Sequence, residues 1–252
     1  MKVRLDGLVV ERGLAKDIKE AHALLLSGRI RAPGLGKVKA GELVSPDQPL
    51  ERVEENPFVS RGGLKLQAAL KEFRIDVRGR ACVDLGASTG GFTDCLLQAG
   101  ASRVMAVDVG HGQLDWTLRN DPRVLNREKT HVLKVTRDEV NTFFSRGADA
   151  SLPQTGFVAV DVSFISLEKV FPHFAEIFPK GTELVVLVKP QFEVGPKEAP
   201  KGVVRDPSVH AQVLAKIEHG ANASGFVLLG KRESPITGPE GNREFLLFCQ
   251  VK

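Results

Sequence analysis

The chain has 252 residues, 42% hydrophobic and 26% charged, with a net charge of +4. Those proportions exclude a disordered, collagen-like or disulfide-stapled chain, and no apolar run reaches the ~18–20 residues that span a bilayer. Three separated cysteines (Cys82, Cys95, Cys249) without paired ligand spacing fit a reduced, cytoplasmic protein with no metal site.

The first 41 residues carry nine Lys/Arg against four acids, whereas residues 42–56 carry one against five. The basic excess is front-loaded, which predicts an anionic partner for the first segment. Leu5, Leu8 and Val9, then Ala21, Leu24 and Leu25, repeat at helical spacing and predict helices near 5–13 and 17–27, closed by Gly13 and Gly28. Short apolar stretches around Ile30, Lys37-Val38, Leu43-Val44 and Leu50–Val53, broken by Pro and Gly, read as short strands. Residues 1–55 are thus expected to form a small α+β domain. Asn56-Pro57 opens a linker at 56–60, since the residue before proline is pushed out of helix.

From residue 61 strands and helices alternate. A helix near 63–73 precedes strands near 81–85, 103–108, 123–126, 156–161, 183–189, 225–231 and 244–251. Helical patterns lie near 91–99, 113–120, 136–145, 166–178 and 207–223. This alternation predicts an α/β domain over 61–252 with a mostly parallel, seven-stranded sheet covered on both faces. A Pro/Gly-rich turn from Pro235 to Asn242 makes the last two strands antiparallel. The stretch 190–207, rich in Pro, Gly and Lys, reads as a mobile lid.

The sharpest local signal is Asp84-Leu85-Gly86-Ala87-Ser88-Thr89-Gly90-Gly91-Phe92-Thr93, between a buried strand and a helix. A dinucleotide fingerprint lacks its second glycine here, because position 88 is Ser, and a P-loop lacks its lysine, because position 92 is Phe. The remaining pattern, D-x-G-x-x-x-G-G with an acid ending the next strand at Asp108, is that of a loop for S-adenosylmethionine. A tight turn without any ligand is the bland alternative. Four further ionisable residues sit at the ends of core elements: Asp161 and Lys189 end strands, Lys65 lies just ahead of the sheet and Glu244 opens the last strand. Carboxyl ends of parallel strands converge on one face, so a Lys–Asp–Lys–Glu group is predicted there.

With those residues in place, 61–252 resembles the FtsJ-type RNA 2′-O-ribose methyltransferases. The whole chain resembles the TlyA family, through Val3–Asp6, Glu11–Ala15, Ser60–Leu66, Asp84–Thr93, Asp161–Leu167, Val188–Glu193 and Gly202–Asp206. The resemblance implies a Rossmann-like class I methyltransferase behind an RNA-binding module of the ribosomal-protein-S-four type. It implies S-adenosylmethionine as cofactor, held by 84, 86–92, Asp108 and Asp161, and Lys65, Asp161, Lys189 and Glu244 as the catalytic group. Cytidine riboses of 16S or 23S ribosomal RNA are the implied substrate, and ribosomal RNA or subunits the partner, with no membrane partner. Arg4, Arg12, Lys16, Lys19, Arg29, Arg31 and Arg61 are the expected RNA contacts. The chain departs from the family at Lys16-Asp17-Ile18-Lys19, where a Ser-Arg pair is usual. The family's historical haemolysin label supplies the contrasting reading, which would require an export signal and a membrane-inserting element.

A ribose hydroxyl is a weak acid, so its proton needs a strongly basic acceptor. Two lysines near one another disfavour double protonation, and a carboxylate orients the amine. Lys189 is the expected proton acceptor or hydroxyl orienter, held by Asp161, with Lys65 and Glu244 positioning the ribose. Methylation at a pyrimidine carbon would need a thiolate, whereas Cys82 and Cys95 read as packing residues.

Overall fold

The computed structural model describes residues 2–36, 38–53, 56–145 and 156–252. Lys37, which opens the expected Lys37-Val38 strand, lies outside them. The chain divides into two units, Met1–Asn56 and Pro57–Lys252.

In the first unit the order is β1 (Val3–Arg4), α1 (Leu5–Glu11), α2 (Ile18–Leu26), β2 (Ile30–Arg31), β3 (Leu43–Val44) and β4 (Glu51–Arg52). β1 pairs with β3 and β2 with β4, both antiparallel. The periodic residues Leu5, Leu8, Val9, Ala21, Leu24 and Leu25 close on Ile30 and Val44 as one small core. α2 starts where the family's Ser-Arg pair is missing. Asp17 takes over the cap by accepting the Glu20 N–H at 2.7 Å, and Glu20 accepts the Lys16 N–H at 2.8 Å in return. An aspartate caps a helix as well as a serine does.

In the second unit α3 (Gly62–Glu72) precedes β5 (Ala81–Leu85), α4 (Gly91–Gln98), β6 (Arg103–Val107), α5 (Trp116–Arg119), β7 (Val124–Arg127) and α6 (Arg137–Ser145). There follow β8 (Phe157–Val160), α7 (Leu167–Ile177), β9 (Glu183–Val188), α8 (Pro207–Ala223), β10 (Phe226–Glu233) and β11 (Phe245–Val251). The seven strands lie in the order β10-β11-β9-β8-β5-β6-β7. Only β11 runs against the others, pairing antiparallel with both β9 and β10. β5 and β8 are buried at every residue, as strands covered on both faces must be. Val83, Leu85, Met105, Val158 and Val160 pack toward α6, α7 and α8. The alternate residues Cys82, Val104, Ala106, Phe157 and Ala159 pack toward α3 and α4.

Three segments depart from expectation. Helix α5 covers only 116–119, because Asp115 caps it by accepting the Thr117 N–H and the preceding loop wraps around Glu128. Burial alone would push that carboxyl up, but N–H groups of Gly112, Leu114 and Gln113, with Arg119 beside them, hold it at about 2. Residues 190–207 contain two short 3-10 turns. The segment is tied down rather than free: Asn242 accepts the Val204 N–H at 3.1 Å and donates to Gly202 O at 2.9 Å. Of the stretch 56–60, Pro57 onward packs on the second unit. Gln98 donates to Pro57 O, Val59 N–H donates to Asp94, and Phe58 is buried.

Candidate active site

The strand order reverses between β5 and its neighbour β8, whose following helices α4 and α7 pack on opposite faces. The crevice at the carboxyl ends of such a pair is where α/β sheets bind ligands. Gly86 enters it at φ +91°, and a Cβ there would lie 2.4 Å from Asp161 O. Only glycine lets the two diverging loops touch. Ser88 follows in the left-handed region at φ +49°, and its N–H donates to Asp108 Oδ2 at 2.8 Å. Asp108, just past β6, also accepts the Gly110 N–H at 2.7 Å, so this acid pins the loop from below. Asp84 is fully buried under the loop; burial pushes its carboxyl up to about 7, against the pull of the Thr93 hydroxyl at 2.7 Å.

A cleft of about 250 Å³ opens above these residues. Gly86, Ala87, Ser88, Thr89, Gly91 and Phe92 line it, together with all four members of the predicted Lys65, Asp161, Lys189 and Glu244 group. Asp84, Gly90 and Asp108 do not line it; they shape the loop from beneath. The four charged residues form two pairs. Lys189 Nζ lies 2.6 Å from Asp161 Oδ1 and donates to Ser163 Oγ at 2.9 Å. Lys65 Nζ donates to Glu244 Oε2 at 2.5 Å, with both side chains buried. Each lysine thus has its own carboxylate, Asp161 for Lys189 and Glu244 for Lys65. Glu244 Oε1 is buried with no hydrogen-bond partner among the described residues. It lies against Gly238, where a Cβ would come within 2.1 Å.

Ser163, Phe164 and Phe192 belong to the same corner and escaped the sequence reading as site residues. Phe164 is 90% exposed at φ +62°, and its ring lies 4.9 Å from that of Phe192. Lys189 Nζ is 5.9 Å from the Phe192 ring centroid. A chain without tyrosine and with one tryptophan must use Phe for such faces, and that was the available signal. Burial pushes the Cys82 and Cys95 thiols up to about 12, which suits packing and not nucleophilic attack.

The expected RNA contacts fall mainly in the first unit. Arg4, Arg12, Lys16, Lys19 and Arg31 are exposed there, and Arg29 is half-buried. Arg4 forks onto buried Asp6 at 3.1 and 2.6 Å, and His22 reaches the same carboxylate at 2.6 Å. Arg12 donates to Pro46 O at 2.6 Å. Arg61 stands in the second unit, where it donates to Thr237 O at 3.0 Å.

This sheet order, with a bare glycine loop after its first strand and paired lysines and carboxylates at the mouth, defines a methyltransferase of the class I fold. Residues 58–251 match the FtsJ-like methyltransferase family, and the chain belongs to that family and to its TlyA group. It is 41% identical to the 16S/23S rRNA (cytidine-2′-O)-methyltransferase TlyA of Mycobacterium tuberculosis, over 100% of this chain and 91% of the relative. It is 35% identical to Hemolysin A of Brachyspira hyodysenteriae, over 97% of this chain and 98% of that one. A solved Streptococcus thermophilus structure with a provisional hemolysin label matches at TM-score 0.74 and 39% identity, covering 100% of this chain and 89% of that one. Among the described residues no helix is long and apolar enough to cross a membrane.

Proposed function

We propose that this chain methylates the 2′-hydroxyl of cytidine riboses in 16S or 23S ribosomal RNA. One observation carries the reading: Lys65, Asp161, Lys189 and Glu244, from four separate elements, line the same cleft as the glycine loop. The substrate named for the Mycobacterium tuberculosis relative supports the choice of RNA and of ribose. The hemolysin label of other relatives gains no support from any observed feature of the fold.

The loop fits S-adenosylmethionine. Its backbone is bare at Gly86, where a Cβ would close the crevice, and Asp108 stands beside Ser88 with lone pairs left for ribose hydroxyls. When bound, the cofactor supplies a methyl group on a positively charged sulfur, ready for in-line attack. The chain's own residues then align one oxygen and move one proton. Lys189 orients the hydroxyl and handles its proton, and Asp161 at 2.6 Å holds the lysine and stabilises its ammonium form. The Lys65–Glu244 pair, lining the same cleft, holds the ribose. Phe164 offers an exposed face on which an unstacked base rests. Residues 1–55 bind RNA as a ribosomal-protein-S-four-type module through Arg4, Arg12, Lys16, Lys19, Arg29 and Arg31, and Arg61 adds an RNA contact on the second unit.

A ribosomal RNA fragment with 2′-deoxycytidine at the target tests the assignment. It should bind and remain unmodified, since it has no hydroxyl to alkylate. Methyl transfer to the deoxy fragment would place the methyl on a base and end the ribose reading.

A further inference from the structure

Two loops carry the Asp161–Lys189 pair: residues 161–166 between β8 and α7, and residues 189–193 after β9. Glu193 spans them at the end away from the cleft. Its Oε2 accepts the Ser166 hydroxyl at 2.6 Å, and its Oε1 accepts the N–H of Leu167, the first residue of α7, at 2.9 Å. Ser166 is itself the cap of α7, accepting the Glu168 N–H. The carboxylate thus fixes both where α7 begins and how the 161–166 loop enters it. Nearer the cleft the same two loops meet again, through Lys189 with Asp161 and Ser163 and through Phe164 with Phe192. Phe164 holds a left-handed backbone that a phenylalanine disfavours. A loop carrying that conformation needs both ends held. Glu193 does not line the cleft, so it does not touch the reacting atoms.

We propose that Glu193 is a positioning residue: it ties the 161–166 loop to the 189–193 loop and thereby sets the Asp161–Lys189 geometry. The proposal rests on the reading of Asp161 and Lys189 as the proton-handling pair. Burial pushes the Glu193 carboxyl up, while Ser166, the Leu167 N–H and Lys216 on α8 draw it back and Glu168 on α7 pushes it further up. Glu193 therefore protonates at a higher pH than an ordinary glutamate. It then has one acceptor too few for its two donors.

The full-length chain with Glu193→Ala or Glu193→Gln tests this, by backbone hydrogen exchange and by steady-state methylation of ribosomal RNA. In Glu193→Ala, exchange over residues 162–170 should rise while 81–98 and 245–251 keep wild-type protection. Its kcat should fall ~10- to 100-fold, the penalty for misplacing a reacting group by about 1 Å, with KM for S-adenosylmethionine within about two-fold. Glu193→Gln has the same single carbonyl acceptor as the protonated carboxyl, so it should hold kcat at the lowered acid-side value at every pH and lose the pH dependence that Glu193 contributes. Unchanged exchange over 162–170, or unchanged kcat, in the alanine variant would overturn the proposal. Loosening of the whole domain in both variants would overturn it too, by making Glu193 a support of the fold. Absence of methyl transfer in the wild type would instead refute the functional reading, and the exchange pattern alone would then decide the clamp.

Discussion

Replacing Asp84 with asparagine should remove a stability loss that the wild-type chain suffers between about pH 4 and pH 7. Asp84 is fully buried on β5, and burial pushes its carboxyl from the usual 3.8 up to about 7, with the charges of Asp161 and Asp108 adding to the rise. The folded state therefore holds an extra proton between those two values. Stability is full below the unfolded pKa and declines as pH rises to about 7. About three pH units at roughly 1.36 kcal/mol each amount to ~4 kcal/mol at most. Asparagine has no charge to bury and keeps a carbonyl oxygen for the Thr93 hydroxyl, so its profile should be flat over that range. Urea unfolding at pH 5, 6, 7 and 8, followed by circular dichroism and the fluorescence of Trp116, the sole tryptophan, measures the difference. Asp84→Asn should be the more stable protein at pH 8, by an amount that shrinks toward pH 5. Parallel pH profiles for the two proteins would refute the reasoning.

Lys65→Met should cost ~3–5 kcal/mol, because it leaves Glu244 buried and unpaired. Adding Glu244→Leu should restore much of the thermal stability in calorimetry without restoring methyl transfer. Asp108→Asn should weaken S-adenosylmethionine binding ~10- to 100-fold in titration calorimetry, since its carboxylate holds Ser88 and Gly110 in the glycine loop and is the acid proposed to receive the ribose hydroxyls. Combined Arg12→Ala, Lys19→Ala and Arg31→Ala substitutions should weaken RNA binding and lower its salt slope by about one per lost phosphate contact, with cofactor affinity unchanged.

The central strands were legible because they are short, largely apolar runs bounded by turns. β5 ends at Leu85 as expected, while β6 and β8 end at Val107 and Val160, one residue short of the expected Asp108 and Asp161. Asp161 and Lys189 were legible for the same reason: an ionisable residue directly after a buried run must emerge at the sheet's carboxyl edge. What joins them was not. Lys65 and Glu244 pair across 179 positions, and no periodicity records which lysine meets which carboxylate. The stretch 190–207 has the composition of a free loop, yet single side chains far along the chain, Asn242 above all, anchor it. The short α5 was overread because an apolar pattern cannot show that Glu128 organises the residues before it. Phe164 lies in the recognised stretch Asp161–Leu167, but its exposure and left-handed backbone are visible only in three dimensions.

Delivery of a methyl group to a ribose oxygen, with Lys189 managing the proton, is the function proposed for the cleft. Ribosomal subunits incubated with isotopically labelled S-adenosylmethionine, digested to nucleosides and resolved by mass spectrometry, test it most directly. The wild-type chain should place the label on the ribose of cytidine, and Lys189→Ala, with unchanged circular dichroism and cofactor affinity, should lower that rate ~10²- to 10⁴-fold. Label on a base, or ribose labelling at the wild-type rate in Lys189→Ala, would contradict it.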